Sequence, residues 1–206
     1  MAFHGKRKNL TVDGELQTRP SRLKLIAYQI NQWQQAIMGN VERGTIVLAN
    51  AIETFEVGKK LGHKLPPGQV LLLKGNLGAG KTTFVQGLAR GMGITGEVVS
   101  PTFVLLSEYP EGRVPLYHFD LYRLETPDAV AALQVELYWE GLEVEPGILA
   151  IEWAERLPYL PPNYVELTFL IPPVSDTNEN PEGRSLTWLA VGKTALGELA
   201  GQLLNC

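Results

Sequence analysis

Between an apolar run and a stretch of helical periodicity stand eight residues, Gly75-Asn76-Leu77-Gly78-Ala79-Gly80-Lys81-Thr82, that complete a G-x-x-x-x-G-K-[ST] pattern. Gln69 to Lys74 before them suits a buried parallel strand, and Thr83 to Arg90 after them has apolar positions at helical spacing. Strand, loop and helix therefore follow in the order a phosphate-binding loop requires. Gly75, Gly78 and Gly80 permit backbone conformations that turn several N–H groups inward around phosphate oxygens, with Asn76, Leu77 and Ala79 contributing amides between them. A helix opening at Lys81 adds free amides and the positive end of its dipole. In such a loop Lys81 reaches the β- and γ-phosphates and the Thr82 hydroxyl ligates Mg2+.

The other bounds are wider. A chain of 206 residues, 45% hydrophobic and 19% charged, can bury the core of one α/β domain. A net charge of -4 gives no general basis for tight nucleic-acid binding, so a link to RNA has to run through a local patch or a partner. Cys206 is the only cysteine, which excludes a disulfide within the chain and fits a reducing cytoplasm. Without an apolar stretch of spanning length or a signal-peptide core, a soluble cytoplasmic protein with no membrane contact is expected.

Charge changes character near the beginning. Lys6, Arg7, Lys8, Arg19, Arg22 and Lys24 face only Asp13 and Glu15 over residues 1–24, and no apolar period is sustained there. Residues 1–44 read as a disordered or marginally helical arm, with a weak helix over Leu23 to Met38. Residues 1–37 are expected to be dispensable or the product of an over-extended start. The domain is expected over 45–206. It opens with a strand at Thr45–Ala49 and a helix over Ile52–Leu61. Further strands are expected at Val104–Tyr109, Val114–Leu121, Ile148–Glu152, Tyr164–Ile171 and Ser185–Val191, a short helix runs from Thr126 through Leu133, and a closing helix spans about Thr194–Leu204. Pro172 to Arg184 reads as a surface loop. The sum is a P-loop NTPase-like α/β fold, with a mostly parallel central sheet flanked by helices and antiparallel additions.

Three downstream segments carry candidate site residues. Ile148 to Trp153 is an apolar strand ending in a carboxylate, and Glu152 at its end suits a Mg2+ shell or the positioning of water. Trp153 is either a core aromatic or a stacking surface for a base. In Leu116 to Arg123, alternation puts Tyr117, Phe119 and Leu121 on one face and His118, Asp120 and Tyr122 on the other. Asp120 is a candidate metal ligand, directly or through water, or half of a structural ion pair with Arg123. His118 reads as a packed, hydrogen-bonded histidine before it reads as a catalyst. Lastly, Val99-Ser100-Pro101-Thr102-Phe103 is a proline-stiffened turn in which Thr102 is either a switch residue near the γ-phosphate or an ordinary capping hydroxyl.

Taken together, the Gly75 to Thr83 block, Ser100-Pro101-Thr102-Phe103, His118-Phe119-Asp120-Leu121-Tyr122-Arg123 and Ile151-Glu152-Trp153-Ala154-Glu155-Arg156 closely resemble the TsaE (YjeE) family, in the family's order over most of residues 45–160. The resemblance implies a small bacterial Mg2+-dependent P-loop ATPase needed for threonylcarbamoyladenosine in tRNAs that read codons beginning with A. It would act with TsaD and TsaB, which carry the transfer, and meet tRNA through that complex. By position, the resemblance makes Lys81 the phosphate lysine, Thr82 the magnesium hydroxyl, Thr83 the second threonine and Thr102 the switch-like threonine. It likewise makes Asp120 the metal-associated aspartate, Glu152 the catalytic glutamate and Trp153 the base-stacking tryptophan. Asn76 departs from it, standing where the family has aspartate. The residues before Met38 and the 172–184 loop also exceed the family's needs.

Two other classes use the same loop. A small-molecule kinase needs an arginine-bearing lid and an acceptor pocket, and no arginine cluster follows the loop here. A non-catalytic nucleotide-dependent assembly module is the other alternative. A guanine-reading Asn-Lys-x-Asp motif is absent.

Overall fold

The computed structural model describes residues 42–141, 144–171 and 183–194. The expected arm before Glu42, its weak helix, most of the 172–184 loop and nearly all of the closing helix lie outside the described residues. Among the described residues seven strands form one sheet: β1 (Glu42–Leu48), β2 (Val70–Lys74), β3 (Leu106–Tyr109), β4 (Leu116–Asp120), β5 (Ile148–Glu152), β6 (Tyr164–Leu170) and β7 (Arg184–Val191). Their order is β1-β7-β6-β2-β5-β4-β3. The contiguous group β6-β2-β5-β4 is parallel, and β1, β7 and β3 join it antiparallel. A mostly parallel centre with antiparallel additions is thus what the chain forms.

The parallel strands have no polar face to spare. All residues of β4 and β5 and the first four of β2 are buried, as expected of strands covered on both sides. Alternation divides them between two cores. Leu71, Leu73, Leu116, Ile148 and Ala150 join Phe84 and Leu88 on one side. Val70, Leu72, Tyr117, Phe119, Leu149 and Ile151 join Val130 and Val135 on the other. On the outer strands β6 and β7 the pattern becomes one-faced, with Val165, Leu167 and Phe169 inward and Glu166 and Thr168 only partly covered.

The first core is closed by α1 (Ala51–Lys64) and α2 (Lys81–Gly91). Asn50 caps α1 by accepting from the Glu53 amide at 3.0 Å, while the Glu53 carboxylate accepts from the Ala49 amide at 2.7 Å, a reciprocal capping box. The helices cross on glycine. A Cβ at Gly58 or Gly62 would lie 2.2 Å from the Phe84 carbonyl oxygen or 2.1 Å from that of Leu88, and one at Gly87 or Gly91 would lie 2.0 Å from Phe55 or 2.1 Å from Lys59 carbonyl oxygen. Backbone therefore meets backbone, which holds the beginning of α2 rigidly against the sheet.

Boundaries differ from expectation where a backbone constraint intervenes. β1 pairs with β7 from Glu42 onward, ahead of Thr45, and α1 extends to Lys64. β4 starts at Leu116 rather than Val114, directly after Pro115, which has no N–H to give the ladder. β3 starts at Leu106 rather than Val104 because Pro101 to Leu105 form a turn, with Leu105 at φ 68° and its amide bonded to the Pro101 carbonyl. The helix capped by Thr126, α3 (Pro127–Ala131), stops short of Leu133. Gln134 at φ 52° then redirects the chain into α4 (Glu136–Glu140), which the periodicity did not reveal.

Candidate functional site

The parallel strands deliver their ends to one place. Register pairs Asp120 with Glu152 across β4 and β5, and Leu73 with Glu152 across β2 and β5. The phosphate loop leaves β2 at the same edge, where ligands bind in open parallel sheets. A cleft of ≈ 310 Å³ there is lined by the loop from Leu77 to Thr83, by Ser100, Thr102, Asp120 and Tyr122, and by Glu152 and Trp153. Of the residues expected at the site, only Gly75 and Asn76 do not line it. They act on it through their carbonyls.

Those carbonyls hold Lys81, whose Nζ donates to Gly75 O at 2.6 Å and Asn76 O at 3.0 Å. Gly75 has φ 134°, and a Cβ there would lie 2.4 Å from the Phe169 carbonyl oxygen, so no other residue fits between the loop and β6. Gly80, at φ 107°, turns the chain into α2, whose first turn carries no acidic side chain to oppose an anion. Burial lowers the Lys81 pKa below the ordinary lysine value, and the charges of Glu152, Glu155 and Asp120 pull the other way.

Glu152 is almost fully buried. Thr82 Oγ1 donates to its Oε1 at 2.8 Å, and His118 Nε2 lies 3.0 Å from the same oxygen. With its proton given to Glu152, the Thr82 hydroxyl turns lone pairs outward, the orientation a cation requires. His118 is fully buried, and its Nδ1 has no hydrogen-bond partner. It is thus the packed, hydrogen-bonded histidine expected, but its partner is the site's own acid.

Asp120 is held by hydroxyls. Ser100 Oγ and Thr102 Oγ1 each lie 2.6 Å from Asp120 Oδ2 and 2.8 Å from each other, while Oδ1 accepts from the Tyr122 amide at 2.9 Å. The expected alternative of an Asp120–Arg123 ion pair is overturned, because the Arg123 guanidinium instead lies 4.9 Å over the exposed Phe103 ring. Ser100 carries as much of this contact as Thr102 and was missed as a site residue. Its place on the same turn, two residues before Thr102, was the available signal.

Trp153 sits at φ 58°, a left-handed conformation that is rare for a bulky side chain and costs ~1–3 kcal/mol. This turn swings its half-buried ring off the end of β5 and over the cleft. The Lys81 ammonium lies 4.1 Å from the ring centroid and the Tyr122 ring 4.8 Å away. Trp153 therefore flanks Lys81.

Oxygen donors dominate the donor set: Thr82, Asp120, Glu152 and the hydroxyls of Ser100 and Thr102. Such donors fit Mg2+. Among the described residues no group of three or more His, Cys, Asp or Glu side chains is arranged around a metal.

A loop of this sequence between β2 and α2, opening on the ends of parallel strands, defines a P-loop NTPase-like protein. A family model described as "Threonylcarbamoyl adenosine biosynthesis protein TsaE" matches residues 48–177. The chain belongs to the TsaE family, whose role lies in threonylcarbamoyladenosine modification of tRNA. It is 57% identical over 122 residues to the tRNA threonylcarbamoyladenosine biosynthesis protein TsaE of Nostoc sp. strain PCC 7120, covering 59% of this chain and 75% of that one. With the Bacillus subtilis strain 168 protein of the same description it shares 45% over 113 residues, 53% of this chain and 68% of the other. The crystal structure of Bacillus subtilis YdiB superposes with a TM-score of 0.61 at 32% identity, covering 81% of this chain and 97% of that one. No described helix is long and apolar enough to cross a membrane.

Proposed function

We propose that this chain is a Mg2+-dependent ATPase that acts in the cytoplasm with TsaD and TsaB in threonylcarbamoyladenosine modification of tRNA, meeting tRNA through that complex. The observation that carries the hydrolytic part is the contact between Thr82 and Glu152 at the mouth of the phosphate loop. It joins the hydroxyl of a nucleotide loop to a carboxylate, the pairing that sets a metal and an attacking water beside the γ-phosphate.

In this reading the loop amides and the start of α2 receive the β- and γ-phosphates, and Lys81 transfers its ammonium from the Gly75 and Asn76 carbonyls to phosphate oxygens. Mg2+, when bound at the Thr82 oxygen and near Asp120 and Glu152, spreads the charge that builds on the phosphate oxygens. Glu152 orients a water in line with the γ-phosphorus. The water oxygen bonds to phosphorus as the bond to the ADP oxygen breaks, and the proton lost from water passes by way of the carboxylate to the released phosphate. Asp120, Ser100 and Thr102 tie the switch turn to the cleft. The Trp153 ring, expected to stack on adenine, closes the wall beside Lys81. Thr83, the third residue of α2, also lines the cleft.

Lys81 is the only cation among the described residues lining the cleft. Phosphoryl transfer commonly uses a second one, often supplied in trans. That supports slow turnover alone and acceleration on TsaD–TsaB. The test is steady-state phosphate release with Mg2+, with EDTA, and with TsaD and TsaB added singly and together. Fast turnover indifferent to both partners would replace this reading with an autonomous enzyme, and phosphate transfer to a small hydroxyl acceptor would replace it with a kinase.

A further inference from the structure

The hydrogen bonds on Glu152 are unevenly shared. Thr82 and His118 both engage Oε1, and none of the described side chains engages Oε2. One oxygen is therefore fixed from two directions, and the other is left to the cleft that Glu152 lines.

His118 reaches this position by register. It stands on β4 two residues before Asp120, on the strand face opposite Tyr117 and Phe119, and β4 pairs with β5 in parallel so that Asp120 lies opposite Glu152. The imidazole is fully buried, and its Nδ1 has no partner. An apolar side chain would fill the same space without burying an unsatisfied nitrogen, so packing alone gives no reason for histidine here. The reason has to lie at Nε2. An ionised carboxylate only accepts, so the imidazole facing it must carry its proton on Nε2 and present an N–H.

From this geometry we infer that His118 is a positioning residue for Glu152: its Nε2–H fixes Oε1 together with Thr82, and this fixes the direction in which Oε2 meets the attacking water. The inference rests on the hydrolytic reading given above for its consequence, though not for the contact itself. His118 touches neither substrate nor metal and acts only through the carboxylate. Losing such a support leaves the acid in place with the wrong aim. The expected effect is a fall in turnover of roughly 10–100-fold with little change in ATP affinity.

Two measurements on the full-length protein decide it. The first is a long-range 15N–1H correlation spectrum of the imidazoles, assigned with the His118→Gln variant. A ring carrying a proton on Nε2, with its signals displaced by Glu152→Gln, is expected. A ring with no proton on Nε2, or signals indifferent to Glu152→Gln, would overturn the proposal. The second is hydrolysis with TsaD and TsaB present. His118→Leu should lower kcat while leaving KM for ATP and the thermal midpoint nearly unchanged, because Leu removes the unsatisfied nitrogen as well as the donor. His118→Gln, whose amide N–H extends equally far from the backbone, should restore much of the rate. In a Glu152→Ala background His118→Leu should cost nothing further, and an additional loss there would also overturn it. If the wild type binds ATP without hydrolysing it, the ATPase reading fails, and the spectrum alone still decides whether His118 holds Glu152.

Discussion

The Thr82 hydroxyl and the Glu152 carboxylate, separated by 70 positions in the chain, lie 2.8 Å apart at the edge of the sheet. The loop thereby shares one hydrogen bond with the adjacent strand. Removing the two ends of that bond should have different effects. Thr82→Val keeps the shape and loses the oxygen proposed to meet Mg2+, so Mg2+ should no longer strengthen ATP binding. Glu152→Ala should bind Mg2+-ATP within a fewfold of wild type and lose hydrolysis by about 100-fold or more. Calorimetric titration with and without Mg2+, beside a phosphate-release assay, separates the two. Full hydrolysis by the Glu152 variant would remove this residue from the mechanism.

Lys81 should make nucleotide binding pH-dependent. Burial lowers its pKa below 10.5 in the free protein despite Glu152, Glu155 and Asp120, and bound polyphosphate raises it again. Between the free and bound values, binding takes up a proton. Affinity is therefore flat below the free-protein pKa and falls as pH rises through the window toward the bound value, by at most about tenfold per pH unit. Titrations in two buffers of different ionisation enthalpy read the proton directly. Lys81→Ala should abolish the uptake along with most of the affinity, and a pH-independent affinity in wild type would show that the ammonium is not desolvated.

The turn that carries Ser100 and Thr102 is tied down through one carboxylate oxygen. Since Ser100 and Thr102 both bond Asp120 Oδ2, Asp120→Ala should free the turn as a unit, and amide exchange over residues 99–105 should accelerate while β2 and α2 stay protected. Ser100→Ala alone should have a partial effect, since Thr102 keeps its bond. Equal exchange in wild type and the Asp120 variant would show that Pro101 and the backbone turn suffice.

At the α1–α2 crossing, stability should depend on glycine. Gly87→Ala places a methyl 2.0 Å from the Phe55 carbonyl oxygen, where backbone rather than a flexible side chain must move. Urea unfolding should show a loss of about 1–3 kcal/mol, against the ~1 kcal/mol gain that alanine brings at an unconstrained helical position. An unchanged or raised midpoint would mean that the helices are not in backbone contact there.

The glycine crossing also shows where sequence reading stops. Gly58, Gly62, Gly87 and Gly91 repeat at four-residue spacing on α1 and α2; Gly58 and Gly87 fall inside the segments expected to be helical and Gly62 and Gly91 one residue beyond them, and each looks locally like a weak helix position. Only when α1 lies on α2 does the missing Cβ have a purpose. Similarly, α4 escaped notice because five residues are too few for a periodicity to emerge, and β3 began late because the turn at Leu105 depends on a contact with Pro101.

What the chain fixes by itself is whatever its neighbours along the backbone decide. Gly75 to Thr82 form a phosphate loop because glycine conformation, a strand before and a helix after are all local, and the alternation of Leu116 to Tyr122 put His118 and Asp120 on one face for the same reason. Which residue meets which was decided by strand order. Placing β5 between β2 and β4 brings Glu152 to Thr82 and His118, and this adjacency comes from burying two apolar faces at once, a property of the whole sheet. The Arg123 side chain illustrates the same limit: its nearness to Asp120 in sequence suggested an ion pair, but the chain turns after β4 and carries the guanidinium to Phe103, while hydroxyls from a turn 18 and 20 residues earlier take the carboxylate.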